Sequence, residues 1–218
     1  MSVWAIVAAA GRGDRLGLDR PKAFAPLRGR PLLAESLERL DSSEWVDAIV
    51  VAAPEGWEEP TVLLAEELGC SKVSASVTGG ATRADSVRLA LAEVPEDAAA
   101  VLVHDAARPL VTDEVVGRVL GPLSEGWDGV VPGLPVSDTV KRVRDDVVVE
   151  TVPREDLVAV QTPQAFVASV LRAAAAGEAT DCAALVEQAG GRIKVVPGDP
   201  RLRKATDPSD LELIESWL

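Results

Sequence analysis

Tyrosine is absent from this chain, histidine and methionine each occur once, and cysteine occurs twice. With His104 as the lone histidine, a histidine-based triad has one possible centre, and the chemistry is expected elsewhere. Cys70 and Cys182 lie far apart and form no Cys-x-x-Cys pair, and two cysteines cannot make a structural zinc site without histidines. A reducing compartment fits. Trp4, Trp45, Trp57, Trp127 and Trp217 follow no spacing suited to base stacking, so they read as packing residues. No stretch approaches the ~20 apolar residues of a membrane helix, and no basic region precedes the short apolar run at the start, so the expectation is a cytoplasmic protein without a membrane partner. Cations are in the minority too: 22 Lys and Arg stand against 35 Asp and Glu, a net charge of −13. That balance excludes a general nucleic-acid surface, and an anionic ligand would need a local cationic pocket.

What is present is the composition of a globular protein, 47% apolar and 26% charged, expected to fold as one domain over residues 1–218. Apolar β-rich runs at Val3–Ala8, Ala48–Ala53, Lys72–Ser76, Ala100–His104, Gly129–Pro132 and Arg192–Val196 read as buried strands. Helical patterns lie between and after them, at Pro31–Leu40, Glu58–Leu68, Thr82–Glu93, Thr112–Leu123, Gln164–Ala175, Asp181–Ala189 and Pro208–Trp217. The alternation predicts an α/β fold, a mostly parallel twisted sheet flanked by helices. One segment breaks it. Thr139–Val143 and Val147–Val152 flank Arg144-Asp145-Asp146, predicting an inserted β-hairpin arm at about 136–155 whose valines need another surface, such as a partner subunit.

Two clusters carry chemistry. The first strand runs into Ala8-Ala9-Ala10-Gly11-Arg12-Gly13-Asp14-Arg15-Leu16-Gly17, followed by Arg20-Pro21-Lys22. Glycines let backbone N–H groups approach a phosphate, and Arg15 and Lys22 add positive charge, so the turn suits a triphosphate. It is neither a Walker loop nor a full dinucleotide fingerprint. Taken alone, the same glycines also fit a plain chain reversal with solvated cations. The fourth strand ends in His104-Asp105-Ala106-Ala107-Arg108-Pro109, at the strand end where open α/β sheets bind ligands. Asp105 can offer an oxygen to Mg²⁺ and Arg108 a grip on a phosphate, or the two can form a local ion pair. His104, closing an apolar strand, reads as structural.

The ordered set of motifs resembles the 2-C-methyl-D-erythritol 4-phosphate cytidylyltransferase family over essentially the whole chain. To the two clusters it adds Gly79-Gly80-Ala81-Thr82-Arg83-Ala84-Asp85-Ser86-Val87, Pro135–Lys141, Thr162-Pro163-Gln164, Thr180-Asp181 and Lys204–Leu211. The resemblance implies a nucleotidyltransferase, Rossmann-like fold that joins CTP to methylerythritol phosphate with a divalent cation, Mg²⁺ or another, in a homodimer with shared active sites. It places Arg15, Lys22 and Lys204 around the reacting α-phosphate, and the nucleotide against Ala9, Ala10, Gly11, Gly13, Gly80, Ala81, Arg83 and Ser86. It places Asp105, Arg108, Thr139, Arg154, Thr162 and Thr180 around the second substrate, with Asp105 also near the metal. Leu16, Ala23 and Leu202-Arg203 depart from the family's usual residues without removing a charged group. Ribitol 5-phosphate cytidylyltransferase shares the fold and the glycine turn and stays open as an alternative. So do a transferase for another base and a non-catalytic nucleotide-binding module.

Overall fold

The computed structural model describes residues 2–17, 19–177, 179 and 181–218. The chain runs through β1 (Val3–Ala8), β2 (Pro26–Leu27), β3 (Arg30–Pro31), α1 (Leu32–Asp41), β4 (Ala48–Ala53), α2 (Glu58–Leu68), β5 (Val73–Thr78), α3 (Arg83–Leu91) and β6 (Ala100–Asp105). It continues through α4 (Asp113–Leu120), β7 (Gly129–Pro135), β8 (Val140–Arg144), β9 (Val147–Val152), β10 (Val158–Val160), β11 (Gln164–Val167), α5 (Ala168–Ala174), α6 (Cys182–Gln188), β12 (Ile193–Pro197) and α7 (Pro208–Glu215). In the central sheet hydrogen-bonded neighbours run β7-β11-β6-β1-β4-β5, with β10 paired to the far end of β7 on its β11 edge and β12 along its other edge. The pairs of β1 with β4 and β6, of β4 with β5 and of β7 with β12 are parallel, whereas β10 and β11 run antiparallel to their neighbours. The predicted mostly parallel α/β sheet is observed.

Side-chain alternation divides the core into two. Ala5, Val7, Ile49, Val51 and Leu102 face one side, where α1, α2 and α4 supply Leu33, Leu37, Leu64, Val115 and Val119. Ile6, Val50, Ala52, Val101 and Val103 face the other, against Val87, Ala90, Leu171 and Leu185 of α3, α5 and α6. Strands buried on both faces have no polar alternation, which explains why their sequences are continuous apolar runs. Two helices start with a capping box. Thr82 and Asp85 form a reciprocal capping box at α3, and Asp207 and Asp210 form one at α7, with Pro208 in its first turn.

The segment 164–175 corrects one expectation. Its first residues, Gln164–Val167, are strand β11, buried between β6 and β7, and the helix starts only at Ala168. A short apolar run looks the same in a buried strand and a buried helix, and pairing on both sides decided for the strand. Upstream, Val158–Val160 forms an unforeseen strand, β10, on the same edge of β7 as β11. Phe166 on β11 is fully buried, and a Cβ at Gly129 would come within 2.6 Å of its ring.

The arm is a hairpin as expected, with β8 and β9 paired from Val140↔Val152 to Arg144↔Val147. Its two-residue turn is Asp145-Asp146, at φ 47° and 63°. Positive φ at both central residues is what a turn matched to the strands' twist requires, and aspartate tolerates it. Val143, Val147, Val148 and Val149 are 52–63% exposed.

Replacing the largest fully buried side chain tests the core: Phe166→Ala should lower stability by about 3–5 kcal/mol in urea denaturation at pH 7.

Candidate active site

At the carboxyl ends of β1 and β6 a cleft of about 530 Å³ opens, lined by the glycine turn, the loop into α3, the end of β6 and the segment before α7. Local geometry explains the glycines. Gly13 has φ +78°, and a Cβ there would lie 2.7 Å from the Lys22 Cβ, so the turn folds back flush against the backbone that carries Lys22. Lys22 N–H donates to the Gly11 carbonyl at 3.2 Å, which fixes the same approach. Across the cleft a Cβ on Gly79 would meet the Ala10 Cβ at 2.2 Å, and one on Gly80 would meet the Asp85 Cβ at 2.3 Å. Close backbone contact therefore closes this end of the cleft, where Ser86 Oγ accepts from Gly80 N–H at 3.0 Å and donates to the Thr82 carbonyl at 2.9 Å.

Asp105 is the electrostatic centre. It is 6% exposed, one carboxylate oxygen accepts from Arg83 Nε at 2.9 Å, and the other accepts from Lys204 Nζ at 2.7 Å. Burial opposes its charge, but Arg83 and Lys204 outweigh burial and hold the carboxyl well below the usual carboxylate range. Lys22, in contrast, is pushed down to about 8, chiefly by burial and then by the neighbouring charges of Lys204 and Arg15. Asp105 offsets part of that repulsion.

Behind Asp105 lies a polar relay. Buried His104 is pushed down to about 4 by loss of solvent and is neutral at pH 7. A carbonyl only accepts, so its Nε2–H donates to the Arg108 carbonyl at 3.0 Å, leaving Nδ1 to accept from the Thr162 hydroxyl at 3.3 Å. The same hydroxyl accepts from Asp105 N–H at 3.0 Å. His104 is thus structural, as its place at the end of an apolar strand suggested.

The cleft brings together most of the residues singled out from the sequence: Ala9, Ala10, Gly11, Gly13, Arg15, Lys22, Gly80, Ala81, Arg83, Ser86, Asp105 and Lys204. Arg12, Thr82 and Thr206 also line it, although the sequence reading gave them no part in the site. Thr162 and Arg108 stand behind the lining. Half-buried Arg108 donates to the Leu202 carbonyl at 2.5 Å and so ties the end of β6 to the segment carrying Lys204. Thr139 and Arg154 are exposed at the base of the arm, where Arg154 donates to the Ser137 carbonyl, and neither lines the cleft of its own chain. Thr180 lies outside the described residues. Among the described residues no three His, Cys, Asp or Glu side chains converge to hold a metal, and Asp105 is the one carboxylate among the described residues that line the cleft.

A model of the 2-C-methyl-D-erythritol 4-phosphate cytidylyltransferase family matches residues 3–218. The chain belongs to this family. The 2-C-methyl-D-erythritol 4-phosphate cytidylyltransferases of Nocardia farcinica and Saccharopolyspora erythraea are 49% and 48% identical to it, over 100% of this chain and 94% and 100% of theirs. Among solved structures, that of the Thermus thermophilus cytidylyltransferase superposes with a TM-score of 0.79 at 34% identity, covering 100% of this chain and 98% of its own. The Francisella tularensis cytidylyltransferase gives 0.85 at 28% identity, with both chains fully covered. The chain is a cytidylyltransferase of isoprenoid biosynthesis.

In the free cytidylyltransferase Lys22 carries its charge below about pH 8 and loses it above. CTP binding, measured by calorimetry, should weaken by about tenfold between pH 7 and 9.5 as one cationic contact disappears. Lys22→Arg, which stays charged, should flatten that slope.

Proposed function

We infer that charge neutralisation, without a general base, drives the transfer in this cleft. The chain transfers the CMP moiety of CTP to 2-C-methyl-D-erythritol 4-phosphate in the non-mevalonate route to isoprenoid precursors, releasing pyrophosphate. The observation that carries the mechanism is the convergence of Arg15, Lys22 and Lys204 on one cleft whose neighbouring histidine is buried and committed on both ring nitrogens. A phosphate monoester has its second pKa near ~6, so the acceptor is mostly dianionic at neutral pH and needs no proton removed. One of its oxygens bonds to the α-phosphorus of CTP as the bond from that phosphorus to the β-phosphate bridging oxygen breaks. Arg15, Lys22 and Lys204 neutralise the charge gathered there.

Mg²⁺ suits this donor set. It keeps several waters and takes its other oxygens from substrate phosphates, so one carboxylate rather than a cage would hold it, and Asp105, whose oxygens accept from Arg83 and Lys204, would serve through its remaining lone pairs or a bound water. The ion would supply further charge neutralisation on the triphosphate. Gly80, Ala81 and Ser86 form the end of the cleft for cytosine, with Ala9, Ala10, Gly11, Gly13 and Arg83 toward the phosphates. The cysteines are buried free thiols, and among the described residues no helix is long and apolar enough to cross a membrane; both fit a cytoplasmic enzyme. Pyrophosphate release should be at least about tenfold faster, in kcat/KM, with methylerythritol phosphate than with ribitol 5-phosphate when CTP is the donor. Faster release with ribitol 5-phosphate would overturn the acceptor assignment.

The working unit is a homodimer in which the arm of one copy completes the cleft of the other. Support comes from the exposed valines of a two-stranded hairpin that is marginal alone, and from the position of Thr139 and Arg154 at its base, away from their own cleft. Complementation tests it. Lys22→Ala and Arg154→Ala homodimers should each be about 10²-fold slower or worse. Co-expressed, they should regain activity, because a mixed dimer has one site with both residues intact. Mixed dimers without recovery would exclude a shared site.

A further inference from the structure

Lys204 sits on an irregular stretch between β12 and α7, and its side chain is 42% exposed, with Asp105 holding its tip at 2.7 Å while the stretch carries its backbone. Its position is set by how that stretch is held. Gln161, 5% exposed, grips Asp199 with both ends of its amide: Nε2 donates to the Asp199 carbonyl at 2.9 Å, and Oε1 accepts from Asp199 N–H at 3.0 Å. The fit is flush, since a Cβ on the adjoining Gly198 would come within 2.4 Å of Oε1. On the other side of Lys204 stands Asp210, 4% exposed. One of its oxygens accepts from Arg203 Nε at 2.5 Å, and the other accepts from the backbone N–H groups of Thr206 at 2.8 Å and Asp207 at 3.2 Å. One buried carboxylate therefore holds the residue before Lys204 and the second residue after it. Between them, Ala205 N–H donates to the Ala107 carbonyl at 2.8 Å and sets the distance to β6.

We propose that Gln161 and the Arg203–Asp210 pair are positioning residues, which clamp residues 198–207 on both sides of Lys204 and present its ammonium to the transferring phosphorus already in place. None of the three lines the cleft. The inference rests on the reading that Lys204 neutralises the α-phosphate. A flexible carrier would have to be ordered during the reaction, and a shift of about 1 Å in a charged group is enough to slow turnover severely.

The test is a double-mutant cycle on the intact enzyme. Arg203→Met and Gln161→Met should each lower kcat by about tenfold while the KM for CTP moves less than about threefold. Arg203→Lys should restore most of the loss. In a Lys204→Ala background the same two substitutions should cost less than about twofold more, because a clamp has nothing left to place. Full additivity in that background would overturn the proposal. A crippled Lys204→Ala enzyme beside unaffected clamp variants would overturn it while leaving the mechanism standing; a fully active Lys204→Ala enzyme would remove the mechanism itself. A second readout needs no turnover. Trace acetylation of the Lys204 amine, followed by mass spectrometry, should speed up several-fold in Arg203→Met as the Asp105 contact loosens, whereas an unchanged rate would also overturn the clamp.

Discussion

The carboxylate of Asp105 joins three parts of the chain that are far apart in sequence. It ends β6, it receives Arg83 from the first turn of α3, and it receives Lys204 from the stretch before α7. A buried carboxylate without partners would take up a proton, and two cations without it would repel each other across the cleft. Each member is therefore a condition for the others. Removing Asp105 would leave Arg83 largely buried and unpaired, which is the expensive way to break such a cluster. The relay through Thr162 and His104 fixes the backbone of Asp105 from behind, so the strand end holds its direction without help from a ligand.

This arrangement reconciles an acidic protein with a polyanionic ligand. The net charge of −13 is spread over the exterior, while Arg15, Lys22 and Lys204 are concentrated where β1 and β6 end. The fold supplies that place. Strands buried on both faces leave their ends as the region where polar groups can converge, and parallel neighbours point the ends of β1 and β6 the same way.

The sequence made much of this legible, and the reasons differ by feature. The long apolar strands and most helices follow from local pattern, so β1, β4 and β6 and the helices beginning near Thr82 and Pro208 could be read directly. β11 could not, because Gln164–Val167 becomes a strand only through two antiparallel partners that local sequence does not encode. Within the site, glycines and charged residues at strand ends announced Gly13, Lys22 and Asp105. The supports were silent. Gln161 and Asp210 act through the backbone of distant residues, and nothing in their own neighbourhood marks a buried glutamine or aspartate as a clamp. Arg203 looked like a mere departure from the family's usual residues until its contact with Asp210 gave it a partner.

The lowered pKa of Lys22 connects the cleft to stability. Unfolded, the amine would bind its proton up to its ordinary value of 10.5; folded, it holds it only to about 8. Between those values the unfolded chain binds more protons, so by linkage this group's cost to folding is full below about pH 8 and fades as pH rises toward 10.5. At neutral pH the enzyme therefore carries a lysine charge that is opposed first by burial and then by the neighbouring cations. A triphosphate reverses the sign of that interaction, because the same burial that penalises Lys22 alone strengthens its attraction to phosphate oxygens. Strain held in the free cleft becomes binding energy there, and the clamped segment prevents the cations from relaxing by letting Lys204 drift away.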